Sequence, residues 1–295
     1  MFTIVICTFN KAYSLANTLD SIVAQDYSEY EVLVVDNNSN DETKNIIAKK
    51  QILFRKKGIN LIYIFEKIQG LSSARNTGSK NANFNYLIYV DDDCVLISNL
   101  LLEYSRALST FTNCVIAGGS ITPRWGNNHS PKWLKPNFYW LFGEMKYIGD
   151  NKPRLLKKKE TINGGNFFIQ KDILDIMGGF NTNLGHKGYS SGGSEEQEIL
   201  LKIKNKNMGQ CLCIPAALVL HCFPEERLDQ NYVIDRLFRS NYDRALTEFN
   251  NGRRVVSILR AIIYLTKYIF IPNRFLRYQY WGYLKGIQEC LLSFL

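Results

Sequence analysis

The run Tyr86-Leu87-Ile88-Tyr89-Val90, followed at once by Asp91-Asp92-Asp93, constrains this chain more than any other segment. Apolar and aromatic residues without polar alternation read as a central strand covered on both faces, hence as part of a mostly parallel sheet. The carboxylates are then delivered together at the carboxyl end of that strand, where open α/β sheets bind ligands. Adjacent acids repel one another and are costly in a folded chain unless a cation or a set of donors compensates them. A hard divalent ion carrying a phosphate is the natural partner, and a solvated acidic turn is the plainer alternative.

The segments around this strand repeat a strand–helix–strand rhythm. Thr3 to Cys7 reads as a first strand, and Leu15, Leu19, Ile22 and Val23 keep helical spacing after it. Glu31 to Val35 is a second apolar strand ending in Asp36; Asp41 can cap a helix to about Lys57; Leu61 to Phe65 is a third strand and Ser72 to Lys80 a short helix. Such units imply parallel crossovers and an α/β fold. No GxGxxG opens the first helix and no GxxxxGK[ST] occurs anywhere, which disfavours a dinucleotide fold or a P-loop enzyme.

Composition excludes other classes. With 295 residues, 46% hydrophobic and 21% charged, the chain can bury a sizeable core and is neither disordered nor collagen-like. The net charge of +9 is uneven: from Asn251 onward seven Lys and Arg face a single acid, Glu289, so +6 of it lies there. That is the pattern of a basic tail rather than of a basic protein. Seven scattered cysteines, several in apolar runs, fit reduced cytoplasmic surroundings, and Cys211-x-Cys213 has strand alternation rather than zinc spacing. An opening strand without a charged and then apolar leader gives no expectation of a cleaved signal peptide.

Several blocks together resemble the family 2 glycosyltransferases. They are Ile6-Cys7-Thr8-Phe9-Asn10, Val34-Val35-Asp36-Asn37-Asn38 running to Thr43, Gly70 with Ala74-Arg75-Asn76, Asp91-Asp92-Asp93, Gly164-Gly165-Asn166, Gly178-Gly179-Phe180, and Gly192-Gly193-Ser194-Glu195-Glu196. The resemblance covers about residues 3 to 225. It implies a GT-A fold over 1–225, with a nucleotide-sugar-binding half (1–95) and an acceptor and catalytic-base half (96–225); the remaining residues, 226–295, read from their own pattern as a basic amphipathic helical tail. It implies an inverting, metal-dependent transferase taking a sugar from a nucleotide donor, expected to be UDP-linked, to a saccharide or lipid-linked acceptor in cell-surface glycan synthesis. Thr8, Asn10 and Asp36 would surround base and ribose; Asp91, Asp92 and Arg75 would serve the diphosphate; Asp91 and Asp93 would hold Mg²⁺ or Mn²⁺. Asp36 also suits a turn cap, and Arg75 a solvated helix face. Against the family's common pattern, Cys7 replaces a frequent Pro, Asn37-Asn38 the usual Asp-Gly, and Glu196 the usual Asp.

Ser194-Glu195-Glu196-Gln197 has the form of a capping box, so a helix should begin there and run to about Asn205. Acids in a first turn favour the helix dipole and need no other reason. Phase separates the two. From Glu196, steps of three, four and seven reach Ile199, Leu200 and Ile203, whereas Glu195 leads to Glu198, Ile199 and Lys202. Glu196 is therefore expected to face the protein and Glu195 a mostly wet side. The resemblance makes Glu196 the general base and its neighbour a bystander. His221, after the run Ile214 to Leu220, is a third metal ligand by resemblance or a structural histidine; His129 and His186 carry no signal. Trp125, Trp133, Tyr139 and Trp140 either stack on an acceptor or pack a flap.

In the tail, Arg253, Ser257, Arg260, Tyr264 and Lys267 recur at steps of four and three within an otherwise apolar stretch ended by Pro272. The stretch is too short and too charged to span a bilayer, so it is expected as an interfacial helix with a basic edge, peripheral on the inner membrane face, or as a helix packed on protein or on a second copy. Rival readings are a sugar nucleotidyltransferase, whose Gly-rich, Arg-containing loop Thr8-Phe9-Asn10-Lys11 does not supply, a catalytically inactive scaffolding subunit of the same fold, and nucleic-acid binding through the tail.

Overall fold

Side-chain alternation within the predicted strands sets up two cores on opposite faces of one sheet. In the computed structural model, β1 (Phe2–Thr8), α1 (Ala12–Val23), β2 (Tyr30–Asp36), α2 (Thr43–Lys56), β3 (Asn60–Phe65), α3 (Leu71–Asn81) and β4 (Tyr86–Val90) follow in order. Ile4, Ile6, Val32, Val34, Ile88 and Val90 point to one face and pack on Leu15, Leu19 and Ile22 of α1 and Phe54 of α2. Val5, Leu33, Val35, Leu87 and Tyr89 point to the other, toward Ala74 of α3. Period-two alternation on strands buried on both sides explains why each strand reads as continuously apolar. α3 lies so close to β1 that a Cβ on Gly78 would come within 2.4 Å of Val5 Cγ1, which reserves that position for glycine.

The chain continues through β5 (Cys94–Leu96), α4 (Leu100–Thr110), β6 (Cys114–Pro123), β7 (Arg154–Leu155), β8 (Asn166–Gln170), α5 (Lys171–Ile176), α6 (Glu195–Asn205) and β9 (Gln210–His221). Strand order is β3-β2-β1-β4-β8-β6-β9-β5, with β7 on β9. β3, β2, β1 and β4 run parallel, and β8 is antiparallel to both β4 and β6. The chain thus moves outward from β1 to β3 and returns on the far side of β1 as β4. That reversal makes a switch point between the carboxyl ends of β1 and β4, where Thr8 and Asp91–Asp93 lie. Cys211 and Cys213 are buried within β9, and all seven cysteines are free.

The described residues are 1–126, 129–185, 195–250 and 252–293. They form two compact units, the first running to Phe223 and the second starting at Pro224. The proposed cap Ser194, the glycines before it and His186 lie outside the described residues. The second unit holds α7 (Gln230–Asn250), α8 (Arg254–Phe270) and α9 (Arg274–Leu292) around Ala245, Phe249, Ala261, Tyr283, Ile287 and Cys290. α7 and α9 approach closely because Gly282 and Gly286 put no side chain between them: added Cβ atoms would meet Phe238 O at 2.1 Å and Tyr242 O at 2.7 Å.

The middle of the polar arc predicted for α8, Ser257, Arg260 and Tyr264, faces its own bundle, whereas its end cations Arg253 and Lys267 stay exposed, so the expected basic edge is corrected only in part. Ser257 is fully buried, Tyr264 packs on Tyr280 and Tyr283, and Arg260 pairs with Glu248. Glu248, Arg260 and the Tyr283 hydroxyl form one partly buried polar node, in which each group finds a partner.

Candidate active site

β1 and β2 end side by side, Thr8 opposite Asp36 in register. Asp36 is buried; its Oδ1 accepts from Ser39 N at 2.9 Å, and its Oδ2 from the Tyr63 hydroxyl at 2.9 Å. The turn-cap role weighed for Asp36 is therefore present. The Thr8 hydroxyl is buried at the switch point beside Asp92, and its hydrogen bond acts to lower that carboxyl.

Asn10 and Asn38 adopt left-handed backbone, φ 53° and 68°. Asparagine is the side chain that tolerates this region best after glycine, which explains how Asn38 can stand where Gly is usual. Asn10 Oδ1 accepts from Asn40 N at 2.8 Å, and Asn10 N donates to Ser39 Oγ at 3.0 Å, so the loops after β1 and β2 are knitted together. Asn37 ties the second loop to the start of α3, donating to Glu66 O and Ile68 O and accepting from Gly70 N at 2.7 Å.

The acid cluster is compensated by protein cations. Lys11 Nζ lies 3.1 Å from Asp92 Oδ1 and 2.7 Å from Asp93 Oδ2; His221 Nε2 is 3.3 Å from Asp93 Oδ1; Arg75 is 3.8 Å from Asp91. Lys11 was missed from sequence, although it is the first cation after β1. Burial, the largest influence, raises Asp92, and with repulsion from Asp93 outweighs Lys11 to leave it at about 6. Burial also acts to raise Asp93, but His221 and Lys11 outweigh it and hold that carboxyl far below the usual range. Burial would lower His221, yet Asp93 raises it. Asp91 differs from its neighbours in having a side chain 40% exposed.

Among the described residues no three His, Cys, Asp or Glu side chains converge as a metal cage. The donors that do meet are Asp93 and His221. His221 Nδ1 bonds the Phe142 carbonyl at 2.7 Å, which makes Nδ1 the protonated nitrogen and turns Nε2 toward Asp93. Gly143, at φ 82°, permits this approach, since a Cβ there would come within 3.0 Å of Nδ1. One or two carboxylates suffice for Mg²⁺ or Mn²⁺ held chiefly by phosphate, so Asp93, with the His221 nitrogen beside it as a softer donor, fits such an ion.

Glu196 is buried as its phase predicts, at 7% exposure, and burial followed by the neighbouring Glu195 charge raises its carboxyl to about 8, with Asp91 adding a smaller push. The wet position expected for Glu195 is wrong. Glu195 is 2% exposed, and its Oε1 lies 2.5 Å from Arg75 Nη1. The helical count assumed only one packed face, whereas the first turn of α6 is enclosed on two sides. Arg75 is likewise buried rather than solvated: Nη2 donates to Gly164 O at 2.9 Å, and the guanidinium lies 5.6–5.7 Å from the ring centres of Tyr89, Phe167 and Phe180.

Other motif residues prove to be scaffolding. Asn76 clamps the backbone of Phe180, donating to its carbonyl at 2.9 Å and accepting from its N–H at 2.7 Å, with Gly178 and Gly179 turning at φ 81° and 78°. Asn166, fully buried, donates to Ser120 O and Ala217 O at 2.9 Å and accepts from the Tyr104 hydroxyl at 2.7 Å. It thereby closes the gap where the β6–β9 register shifts after Gly119. Trp125 packs against Tyr139, Phe142 and Phe223, the flap reading, while Trp140 stays exposed and His129 lies at the surface.

Comparison with known proteins gives the family and the fold. The model of the glycosyl transferase family 2 matches residues 3–176. The glucosyl-dolichyl phosphate glucuronosyltransferase of Haloferax volcanii is 21% identical over 249 residues, 83% of this chain and 77% of its own length. Among solved structures, the mannosyltransferase PcManGT from Pyrobaculum calidifontis, in complex with GDP-Man and Mn²⁺, aligns over 99% of this chain and 74% of its own, with a TM-score of 0.59 at 15% identity. S. aureus TarS residues 1–349, in complex with UDP, aligns over 99% and 91% with a TM-score of 0.56 at 16% identity. At such identities the structural likeness is one of fold.

Proposed function

The chain belongs to glycosyl transferase family 2 and has the GT-A fold, and from that premise we propose that it is a metal-dependent, inverting enzyme moving one sugar from a nucleotide-sugar donor to a saccharide or lipid-linked acceptor. The observation that carries the reading is Glu196: a buried carboxyl at about 8, influenced by Asp91 of the switch-point cluster, where a base would meet an acceptor. A catalytic carboxylate should titrate near the working pH, and burial puts this one there. The donor nucleotide is expected to be UDP, and a lipid-linked acceptor is supported by the dolichyl phosphate in the name of the Haloferax relative. Cell-surface glycan synthesis on the inner membrane face is the expected setting.

In this mechanism the loops after β1 and β2 take the nucleoside, with Thr8 supplying a buried hydroxyl, Asn10 the rim, and Asp36 an acceptor held in place by Tyr63. Asp93 and His221 would hold the ion, with Asp91 and Asp92 completing the acidic surroundings of the diphosphate. When bound, Mg²⁺ or Mn²⁺ would supply positive charge toward the departing nucleotide. Glu196, deprotonated, takes the proton of the acceptor hydroxyl as that oxygen approaches the anomeric carbon opposite the nucleotide, which inverts the configuration. Arg75 is a positioning residue: it fixes Glu195, and with it the first turn of α6, against the Gly164 carbonyl and the end of β4. Proton transfer of this kind contributes about 10² to 10⁴ in rate, the rest coming from orientation and charge.

The test is a screen of UDP- and GDP-sugars with Mn²⁺ by thermal shift, then hydrolysis or transfer, with product anomers read by NMR. Donor turnover with inversion is expected. Donor binding without turnover would favour the catalytically inactive subunit instead.

A further inference from the structure

α8 is inverted relative to a helix of a water-soluble bundle. Its buried positions are Ser257 and Ala261, with Arg260 and Tyr264 partly covered beside them. The opposite side is apolar and open to solvent: Val255 is 72% exposed and Phe270 80%, with Leu259, Ile262, Ile263 and Ile269 all more than half exposed between them. At about 100° per residue, the outward positions cover roughly half the helix circumference, and Thr266 is the one polar side chain in that arc. Folding has used the polar stripe to build the bundle and left the apolar stripe uncovered. A contiguous face of this kind marks a binding surface.

The charges around it indicate what covers it. Arg254 borders one side of the arc and Lys267 the other, and Arg274 and Arg277 follow at the start of α9. Between Glu248 and Glu289 the chain contains no acid, and Glu248 is already engaged by Arg244, Arg260 and Tyr283. A two-fold pairing of two α8 faces would bring cationic borders against each other with no carboxylate to offset them. A surface of phosphate headgroups over hydrocarbon complements both properties at once: apolar side chains enter the acyl boundary and the bordering cations meet the headgroups. No helix among the described residues is long and apolar enough to cross a membrane, so α8 would lie flat.

We propose that the outward face of α8 docks in the plane of an anionic lipid bilayer. This inference does not depend on the catalytic reading, because it concerns only the helical unit and its test contains no sugar transfer. Ser257, Arg260 and Tyr264 of the polar stripe serve as the internal seam, while Lys267 stays at the exposed border of the apolar face.

The experiment is flotation of the intact chain with vesicles of phosphatidylcholine, with and without phosphatidylglycerol. Binding is expected to the anionic vesicles and to weaken with salt, since exposed charges are screened over about 10 Å at 0.1 M. Leu259→Asp with Ile262→Asp should lower vesicle binding by about tenfold or more while circular dichroism and melting temperature stay those of the parent, because neither side chain is buried. Lys267→Glu should lower it by about fivefold. Equal binding by parent and double variant overturns the proposal. So does a parent that ignores vesicles but sediments as a dimer which the double variant dissociates, the result expected if a second copy covers the face.

Discussion

Arg75 and Glu195, 120 residues apart in sequence, meet as a buried ion pair at 2.5 Å. The pair sits on three aromatic rings and joins α3 to the first turn of α6, the turn that also carries Glu196. Two adjacent glutamates therefore have separate tasks: one is neutralised by an arginine and holds the helix, the other is left with a raised pKa. A buried pair is weak evidence of net stabilisation, but breaking one by removing a partner is costly.

Glu195→Gln should consequently be a stability variant. Loss of the charge leaves the buried Arg75 guanidinium with Asp91, 3.8 Å away, in place of its close partner, a cost of up to about 3–5 kcal/mol. Glu196→Gln should leave the melting temperature within a degree or two of the parent and lower turnover by about 10² or more. Melting curves and initial rates on both variants separate the roles, and a stable but inactive Glu195→Gln would transfer the base to that residue.

The raised carboxyl of Glu196 fixes the direction of a pH effect. At about 8 in the folded chain it is largely protonated at neutrality, so the base form grows as pH rises. In a plot of kcat/KM against pH, the acid limb should rise with a slope of one proton and level off near 8. The same shift means folding favours the protonated form, so this group's contribution to stability is full below the ordinary glutamate range and is lost as pH rises through about 8. Glu196→Gln should remove the limb, and a limb that persists in the variant would assign the titration elsewhere.

Asp93 and His221 should account for metal-dependent donor affinity. Asp93→Asn and His221→Ala are each expected to remove most of the difference in nucleotide-diphosphate affinity measured with and without Mn²⁺ by calorimetry, leaving the metal-free affinity nearly unchanged. Asp91→Asn should affect that difference less, because Asp91 stands apart from the Asp93–His221 pair. If Asp91→Asn is the more damaging, the ion is held on that side.

Asn166→Ala should destabilise without touching chemistry directly. It removes three buried hydrogen bonds and leaves the Tyr104 hydroxyl and two carbonyls unsatisfied at the β6–β9 irregularity. At about 1 kcal/mol for each bond, a loss of roughly 2–4 kcal/mol is expected in chemical denaturation. A neutral result would mean that water replaces the amide.

The first four strands of the sheet were legible in the sequence because each is short and apolar and alternates with a helix, whereas β5 to β8, without that rhythm, were not. Local pattern alone therefore placed Asp36 and Asp91–Asp93 at strand ends and turned Glu196 inward. What sequence could not supply was the partner of each charge. Lys11 on Asp92 and Asp93, Arg75 on Glu195, and Tyr63 on Asp36 are contacts across 27 to 120 residues, and nothing in a local window encodes which cation meets which acid. The same limit misjudged Glu195, whose helical phase is wet but whose first turn is closed from a second side, and α8, whose stripe was visible but whose inward side was not. Periodicity determines that a helix has two unlike faces. Only tertiary packing, by offering Glu248 and a pair of tyrosines to the polar one, decided which of them the protein would bury.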